Sequence, residues 1–174
     1  MKNIVITKSQ VALFILLSFL MITVSCNSNS DKKKEAVNSN SESATELAKQ
    51  DTIKVTLNAN DKMQFDKDEI VVYKGQTVVL ELIHTGTMPK ESMGHNFVLL
   101  DNSISVSKYS NQALKKKVDE YVIKDPEYTL AYTKMLGGGE SDEITFKAPE
   151  EGEYDFICSF PGHYANMKGK FIVR

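Results

Sequence analysis

The chain has 174 residues, which is enough for one globular domain with additional segments. Its hydrophobic fraction of 41% is ordinary and its formal net charge is −2, so neither a nucleic-acid-binding protein nor an acidic-tail protein is indicated. The chain contains two cysteines, Cys26 and Cys158, and three histidines, His84, His95 and His163. A site built from thiols and imidazoles therefore has few candidate residues.

The first 25 residues have the features of a targeting segment. A basic start precedes the mostly apolar run 11–24, whose 14 residues are fewer than the roughly 20 that a membrane-spanning helix needs. Such a run is typical of the core of a secretory signal. It ends in Thr23-Val24-Ser25-Cys26, which resembles a bacterial lipobox with a loose match at Thr23. We predict a lipoprotein signal peptide over residues 1–25 and lipidation of Cys26. The alternative is a plain signal peptide in which Cys26 is incidental.

Residues 26–50 are predicted to form a flexible tether behind the lipidated cysteine. The segment is rich in Ser and Asn and contains no aromatic residue. It cannot bury enough apolar surface to offset its conformational entropy. If Cys26 is acylated, Cys158 is a lone thiol in an oxidising, exported compartment, where such a thiol is a liability unless it is protected or used.

From Asp51 onward, short apolar or alternating runs are separated by turn residues. Alternation with a period of two indicates half-buried strands, and this spacing of strands favours an antiparallel sandwich. The predicted strands are residues 53–57, 69–73, 77–84, 95–100, 128–136, 143–146, 153–158 and 168–173.

One segment, residues 105–123, has a helical pattern instead. Leu114, Val118, Tyr121 and Val122 recur at the spacing of one helix face. The intervening lysines at 115–117 are interpreted as the solvent-exposed side of that helix.

The segment 158–167 brings three metal-binding side chain types together. Cys158 follows Phe156 on one face of a strand, because side chains alternate along a strand. Pro161-Gly162 turns the chain, which brings His163 near the thiol, and Met167 begins the returning strand. We expect these donors to converge at one end of the sandwich.

A fourth donor is His95, at the start of another predicted strand. Two imidazoles, one thiolate and a weak thioether form the ligand set of a blue-copper site. Cu(I) favours soft sulfur whereas Cu(II) accepts imidazole, so a rigid intermediate site needs little rearrangement when an electron arrives. With every position filled by protein, such a site carries electrons and leaves no vacancy for a substrate.

Two motifs show that the chain resembles the azurins, of the cupredoxin family. Residues 93–99 read MGHNFVL, where the family has MGHN(W/F)VL, and residues 158–169 follow its pattern C(T/S)FPGHxAxMKG. Shorter pieces agree at residues 60–65, 88–90 and 133–137. The resemblance covers nearly all of residues 51–174 and implies an all-β, Greek-key antiparallel β-sandwich with one inserted helix.

By that resemblance the cofactor is one copper ion, cycling between Cu(I) and Cu(II). Its in-plane ligands would be His95, Cys158 and His163. Met167 and the backbone carbonyl of Gly94 would be weak axial ligands.

The resemblance also implies how the ligands are supported and how a partner is met. Asn96 and Ser159 would join the two ligand loops, and the backbone N–H groups of Asn96 and Phe160 would point at the thiolate. The ring of His163 would reach the surface inside an apolar contact patch. The implied patch residues are Met63, Met88, Met93, Phe160, Pro161 and Ala165.

Three positions depart from the family pattern. The family's disulfide is missing, with Gln76 at one of its positions, a loss expected to cost about 2–4 kcal/mol. Phe97 replaces a tryptophan, and Tyr132 replaces a surface histidine. His84 matches a buried histidine that is not a ligand in azurins, and we assign it to packing and a possible pH response.

The sequence therefore predicts an electron-transfer protein that is not an enzyme, exported and lipid-anchored to a bacterial membrane, facing the periplasm. Its partners would be redox proteins, either c-type cytochromes or other copper or haem proteins, met by transient contact, and no nucleic acid. Copper storage or delivery is the alternative, although delivery favours exposed, exchangeable ligands. A copper enzyme would need a second centre with more histidines, and only His84 is to spare. Zinc remains a competing metal for the same donors.

Overall fold

The structure is a computed structural model that describes Glu46 and residues 49–174. The predicted signal peptide (1–25) and nearly all of the predicted tether (26–50) lie outside the described residues. Within the described part of the chain, no helix is both long and apolar enough to cross a membrane.

Two β-sheets form the domain. The first has the strand order β2-β1-β4-β7, and the second has the order β3-β9-β8-β5-β6. The strands are β1 (Thr52–Asn60), β2 (Gln64–Phe65), β3 (Glu69–Val72), β4 (Thr77–His84), β5 (Val98–Leu100), β6 (Thr129–Tyr132), β7 (Ser141–Lys147), β8 (Gly152–Ile157) and β9 (Lys168–Val173).

The predicted all-β sandwich is confirmed, but its sheets are mixed rather than wholly antiparallel. β1 pairs with β4 in parallel, and β3 pairs with β9 in parallel, whereas the other pairs are antiparallel. The chain crosses from one sheet to the other between β2 and β3 and returns at β4. It therefore comes back alongside β1 in the same direction. Apolar alternation identifies a strand without revealing the direction of its neighbour.

The core lies between the two sheets. β4 alternates between half-buried and buried residues along its whole length. Its inward side chains, with those of β1, β8 and β9, meet across the sandwich. The fully buried large side chains of this core include Leu57, Leu80, Leu82, Phe97, Phe156 and Phe171.

The helix predicted over residues 105–123 is wrong in its extent and in its buried face. The structure has an eight-residue helix, Val106–Ala113, followed by a turn and a 3-10 helix at Lys117–Asp119. Leu114 is 52% exposed and Val118 is 94% exposed, so only Tyr121 and Val122 of the predicted apolar stripe pack against the core. Tyr109 and Ala113 are the buried apolar residues of the real helix.

Tyr109 explains why the helix is held where it is. Its hydroxyl is 2.8 Å from Thr129 Oγ1 and accepts a hydrogen bond from the Ile123 N–H at 3.0 Å. The chain after Ala113 must turn back to reach Ile123, which ends the helix. The spacing of Leu114 and Val118 matched a helical period by coincidence.

Two predicted strands are shorter than expected where they approach the functional residues. The strand predicted at 95–100 begins at Val98, and the one predicted at 128–136 is Thr129–Tyr132. Outside them, His95 and Leu136 form an isolated antiparallel bridge. The Phe97 N–H bonds to the Thr133 hydroxyl at 2.9 Å instead of to a neighbouring strand. The chain thus leaves the regular sheet just before the candidate site.

Candidate metal centre

Two loops meet at one end of the sandwich, which we call the ligand end. Cys158 follows the last residue of β8, and His163 begins a short 3-10 helix, His163–Ala165. Gly162 precedes it with φ +86°, a left-handed conformation that glycine adopts without strain. His95 lies between the short helix Lys90–Met93 and β5.

The three predicted in-plane ligands converge. Cys158 Sγ is 3.6 Å from His163 Nδ1 and 3.9 Å from His95 Nδ1, and all three donor atoms lie within 4.8 Å of one another. All three residues are buried. The Gly94 carbonyl oxygen is 3.8 Å from the same sulfur.

The hydrogen bond of His95 leaves the correct nitrogen free for a metal. Its Nε2 is 2.9 Å from the carbonyl oxygen of Asn60. Because a carbonyl only accepts, Nε2 carries the proton and Nδ1, which faces Cys158, keeps its lone pair. A backbone contact 35 residues away thus leaves Nδ1 of this imidazole able to bind a metal.

Burial keeps all three groups neutral in the absence of metal. It raises the pKa of the Cys158 thiol to about 12, although the backbone N–H groups of Asn96 and Phe160 act to lower it. Burial, and next the neighbouring His84, lower the pKa of His95 to about 4. Burial also lowers the pKa of His163 to about 4. A bound cation would displace the thiol proton, as coordinated thiols are deprotonated.

Side-chain hydrogen bonds join the His95 loop to the Cys158 loop. Asn96 Nδ2 donates to Ser159 Oγ at 2.9 Å, and the Ser159 N–H donates to Asn96 Oδ1 at 2.9 Å. Both residues are buried. Because paired polar groups in a buried site are costly to separate, this link fixes the spacing of the loops.

Met167 and Gly94, the two predicted axial ligands, border the same cluster. Met167 is fully buried, its carbonyl accepts from the Cys158 N–H at 2.9 Å, and its N–H donates to the His163 carbonyl at 2.8 Å. A Cβ on Gly94 would lie 2.6 Å from the Lys90 carbonyl oxygen. Only glycine therefore fits at this position.

The predicted patch residues differ in exposure. Met88 is 37% exposed and Ala165 is exposed, whereas Met63, Met93 and Pro161 are half-buried. Phe160 is also half-buried, with its ring centroid 4.6 Å from that of His163. His163 retains only 4% of its surface, so its ring is more covered than the sequence suggested.

His84 lies behind the cluster and is separate from it. It is fully buried, and its ring centroid is 4.4 Å from that of His95. Neither ring nitrogen has a hydrogen-bond partner, and Asp61 Oδ1 is 3.7 Å from Nε2. Asp61 also accepts from the Thr87 N–H at 2.8 Å. Sequence reasoning missed Asp61, since nothing in its local pattern links it to residues 84–88.

Comparison with known proteins identifies the family. The model of the copper-binding proteins of the plastocyanin/azurin family matches residues 51–174. The chain belongs to this family. It is 38% identical over 126 residues to an azurin of Pseudomonas fluorescens biotype C, an alignment that covers 70% of this chain and 98% of that protein. It is 41% identical over 120 residues to an azurin of Alcaligenes faecalis, covering 66% and 93%.

Solved structures agree with the fold. Auracyanin A, a "blue" copper protein from the green thermophilic photosynthetic bacterium Chloroflexus aurantiacus, superposes with a TM-score of 0.64 at 28% identity, covering 71% of this chain and 99% of that chain. The azurin Az-iso2 of Methylomonas sp. strain J superposes with a TM-score of 0.63 at 28% identity, covering 70% and 97%.

The donor set fits the copper ion that the family binds. One thiol and two imidazoles, all buried and with the Nδ1 atom of His95 free to bind a metal, match the strong donors of a blue-copper site. Copper is therefore the cofactor of this chain, and electron transfer is the function common to its family.

Proposed function

We propose that the chain is a membrane-tethered blue copper protein that shuttles single electrons between exported redox partners. His95, Cys158 and His163 would hold the ion, and Met167 and the Gly94 carbonyl would be additional, weaker ligands. The observation that carries the proposal is the convergence of three buried donor atoms within 4.8 Å.

Copper supplies the redox chemistry when bound, since it is stable as Cu(I) and Cu(II). The protein's part is to keep the donors in one arrangement for both states. The link between Asn96 and Ser159 and the bond from His95 Nε2 to the Asn60 carbonyl serve that purpose. Burial of the thiol excludes water, so little reorganisation accompanies the electron.

Copper storage or delivery fits the geometry less well. A delivery site offers its ligands to a receiving protein, whereas Cys158 and His95 have no accessible surface. An enzymatic role is also less well supported. Among residues 49–174 a single metal-ligand cluster is found, and His84 lies beside it rather than in a second one.

The partner surface is proposed at the ligand end, around His163. Phe160 packs on that ring, and Met88 and Ala165 are exposed nearby on the loops of this end. An apolar surface next to a redox centre suits brief contact with c-type cytochromes or with other copper or haem proteins.

The anchor is proposed at Cys26, with residues 1–25 as its signal peptide and the domain facing the periplasm. The domain begins at the end of the sandwich opposite the ligands, because β1 runs from Thr52 to Asn60, whose carbonyl bonds to His95. Nine strand residues span about 30 Å. A tether attached there leaves the ligand end free to meet partners.

The visible spectrum of the copper-loaded protein tests the metal assignment. Wild type is expected to be intensely blue from charge transfer between thiolate and Cu(II). Cys158→Ser is expected to lose the colour, because Cys158 is the one free thiol among the described residues. Met167→Ala, the matched control in the same loop, should stay blue with a shifted reduction potential. A blue Cys158→Ser protein would overturn the assignment.

Mass spectrometry of the native protein tests the anchor. The mature N-terminus is expected at Cys26, carrying several acyl chains, since one chain binds membranes only marginally. An unmodified N-terminus at another residue, with the protein in the soluble fraction, would contradict it.

A further inference from the structure

A small cationic projection stands beside the ligand end and takes no part in holding the metal. We call residues 114–118 (Leu-Lys-Lys-Lys-Val) the lysine knob. Its three lysines are exposed, Leu114 is 52% exposed and Val118 is 94% exposed. Large exposed apolar residues are few in the described part of the chain, and the others are Met88 and Tyr132. An exposed apolar pair thus flanks three like charges on one short stretch of the chain.

The charge of the knob is not neutralised by its neighbours. No ion pair is found for Lys115, Lys116 or Lys117 within residues 49–174. The adjacent acids already have cationic partners: Asp119 pairs with Lys124 at 3.2 Å, and Glu120 pairs with Lys90 at 3.7 Å. The exposed Glu91 is the remaining acid that lines the same groove as Lys117. Three positive charges therefore face solvent on a domain whose formal net charge is −4 (15 Lys/Arg against 19 Asp/Glu in residues 51–174).

The knob adjoins a groove that leads toward the metal ligands. Lys117 lines a groove of about 280 Å³ together with Tyr121 and Phe160. The rings of Tyr121 and Phe160 meet edge-on with centroids 5.7 Å apart, and Phe160 lies 4.6 Å from the ring of His163. A molecule held by the knob would lie against the aromatic side chain that packs on His163.

Hydrogen bonds of the residues that follow the knob hold it in that position. Glu120 and Tyr121 adopt left-handed conformations, with φ of 55° and 60°. Residues other than glycine remain in this region only where the surrounding contacts hold them. The carboxylate of Glu120 accepts from the Met135 N–H at 2.9 Å, and the Tyr121 N–H donates to the Lys116 carbonyl at 2.8 Å.

An anionic membrane is the less favoured occupant of the knob. The described chain enters the domain near Gln50, whose carbonyl accepts from Gln76 at the end opposite the ligands. The strand between the two ends spans about 30 Å. A lipid anchor that joins the domain at that distant end does not bring the knob close to the membrane.

We propose that the lysine knob is the docking site for an acidic surface of the redox partner, which it steers to the His163 side of the domain. The inference rests on the electron-transfer function proposed above and adds the sign and position of the partner's charge. Although the net charge of the domain is negative, a local cluster of like charges raises the encounter rate with an oppositely charged partner.

Stopped-flow oxidation of the full-length Cu(I) protein in neutral detergent tests the proposal. One electron passes from the protein to hexacyanoferrate(III), giving hexacyanoferrate(II); the trication tris(phenanthroline)cobalt(III) is the opposite probe. Lys115→Glu/Lys116→Glu/Lys117→Glu should slow the reaction with the anion by about tenfold or more at low salt and accelerate that with the cation. Both effects should disappear near 1 M salt, where the Debye length is about 3 Å.

The matched control changes the same net charge at the opposite end of the sandwich. Lys49→Glu/Lys54→Glu/Lys147→Glu should alter either rate by less than about twofold, since distant exposed charges are screened. All variants are first checked for an unchanged blue spectrum, and the triple Lys→Gln variant of the knob provides a milder change with a smaller effect in the same direction. Equal effects of the two Glu triples would overturn the proposal, because net charge alone would then explain them.

Two further experiments distinguish an acidic protein surface from an anionic membrane as the binding partner of the knob. Poly-L-glutamate should inhibit the wild-type reaction with hexacyanoferrate(III) and leave the knob variant unaffected. If phosphatidylglycerol liposomes, compared with phosphatidylcholine liposomes, slow the wild type but not the knob variant, the knob binds lipid and the proposal fails. A wild type that neither acceptor oxidises would refute electron transfer itself, whereas normal oxidation with no effect of the lysines would refute only the docking site.

Discussion

Different kinds of interaction are found at the two ends of the sandwich. At the ligand end, His95, Cys158 and His163 bring two imidazoles and a thiol together in a buried cluster that a cation would complete. At the opposite end, which we call the base, the buried Gln76 forms neutral hydrogen bonds that are complete without any ligand. Changes at the base are therefore expected to alter stability with little effect on the metal site, whereas changes at the ligand end are expected to alter both.

Hydrogen bonds at the base stabilise the domain in the absence of a disulfide. Gln76 Oε1 accepts from the Tyr73 N–H at 2.8 Å, and its Nε2 donates to the Gln50 carbonyl at 2.8 Å, across 26 residues. The side-chain amide thereby connects the first described residues to the turn before β4. Cys158 is the one free thiol among residues 49–174, so that part of the chain contains no second thiol with which it could form a disulfide.

The largest difference between the ends is expected on acidifying the metal-free protein. The pKa values of His95 and His163 are lowered from 6.5 to about 4 in the folded state. Between those pH values the unfolded chain binds more protons, so the free energy of unfolding should fall as pH falls from 6.5 to 4. Each pKa unit is worth about 1.4 kcal/mol, which gives a loss of several kcal/mol. Burial also lowers the pKa of His84, which adds to the loss.

Urea unfolding across that pH range measures the effect. The metal-free variant His163→Gln should lose part of the pH dependence, and copper-loaded wild type should resist acid to a lower pH. If the free energy of unfolding of the metal-free wild type did not change between pH 6.5 and 4, the prediction would be wrong.

The next largest effect is expected from a charge placed at the ligand end. Met93→Lys should slow electron self-exchange by roughly a hundredfold, because two like charges facing each other across a contact cost several kcal/mol. Thr52→Lys, which adds the same charge at the base, should leave the rate nearly unchanged. The rates can be measured by NMR line broadening in mixtures of Cu(I) and Cu(II) protein. Equal rates in Met93→Lys and wild type would place the exit of electrons elsewhere.

Breaking the link between the ligand loops should give a smaller, mixed effect. Asn96→Ala leaves the Ser159 N–H and hydroxyl without their buried partner, which costs about 1–3 kcal/mol. Because that link sets the spacing of His95 and Cys158, the visible band should also shift or broaden. Chemical denaturation and the absorption spectrum together test this. An altered stability with an unchanged band would make the link structural only.

The smallest effect is expected at the base. Gln76→Ala should lower the free energy of unfolding by about 1–2 kcal/mol, through the loss of the hydrogen bonds to Tyr73 and Gln50. The blue band and the reduction potential should be unchanged. A shift of either would mean that the two ends are coupled through β1 or β4.

The sequence predicted the local part of the site better than the distant part. Cys158, His163 and Met167 lie within one turn, so their spacing alone brings them together. His95 lies 63 residues from Cys158 along the chain, so only its place at the start of a predicted strand and the resemblance of its motif to the family indicate that it joins the cluster. The bond from Asn60 that fixes the His95 tautomer, and the position of Asp61 beside His84, depend on tertiary packing that no local pattern contains.

For the fold, too, the sequence predicted local features better than long-range contacts. Alternating apolar residues located the strands, but the parallel pairing of β1 with β4 depends on how the chain crosses between sheets. The helical period through Leu114 and Val118 was misleading, because the hydrogen bonds of Tyr109 and not the periodicity decide where the helix ends. Local propensity yields to tertiary contacts at such points.

Reductive titration of the native, copper-loaded protein tests the central claim most directly, with the visible band recorded in the presence of a Cu(I) chelator. One electron per chain is expected to bleach the whole blue band. Oxidation should restore the band over repeated cycles, and the copper should stay in the protein. Transfer of copper to the chelator on reduction would instead identify a delivery protein, and a band that fails to bleach would exclude an electron carrier.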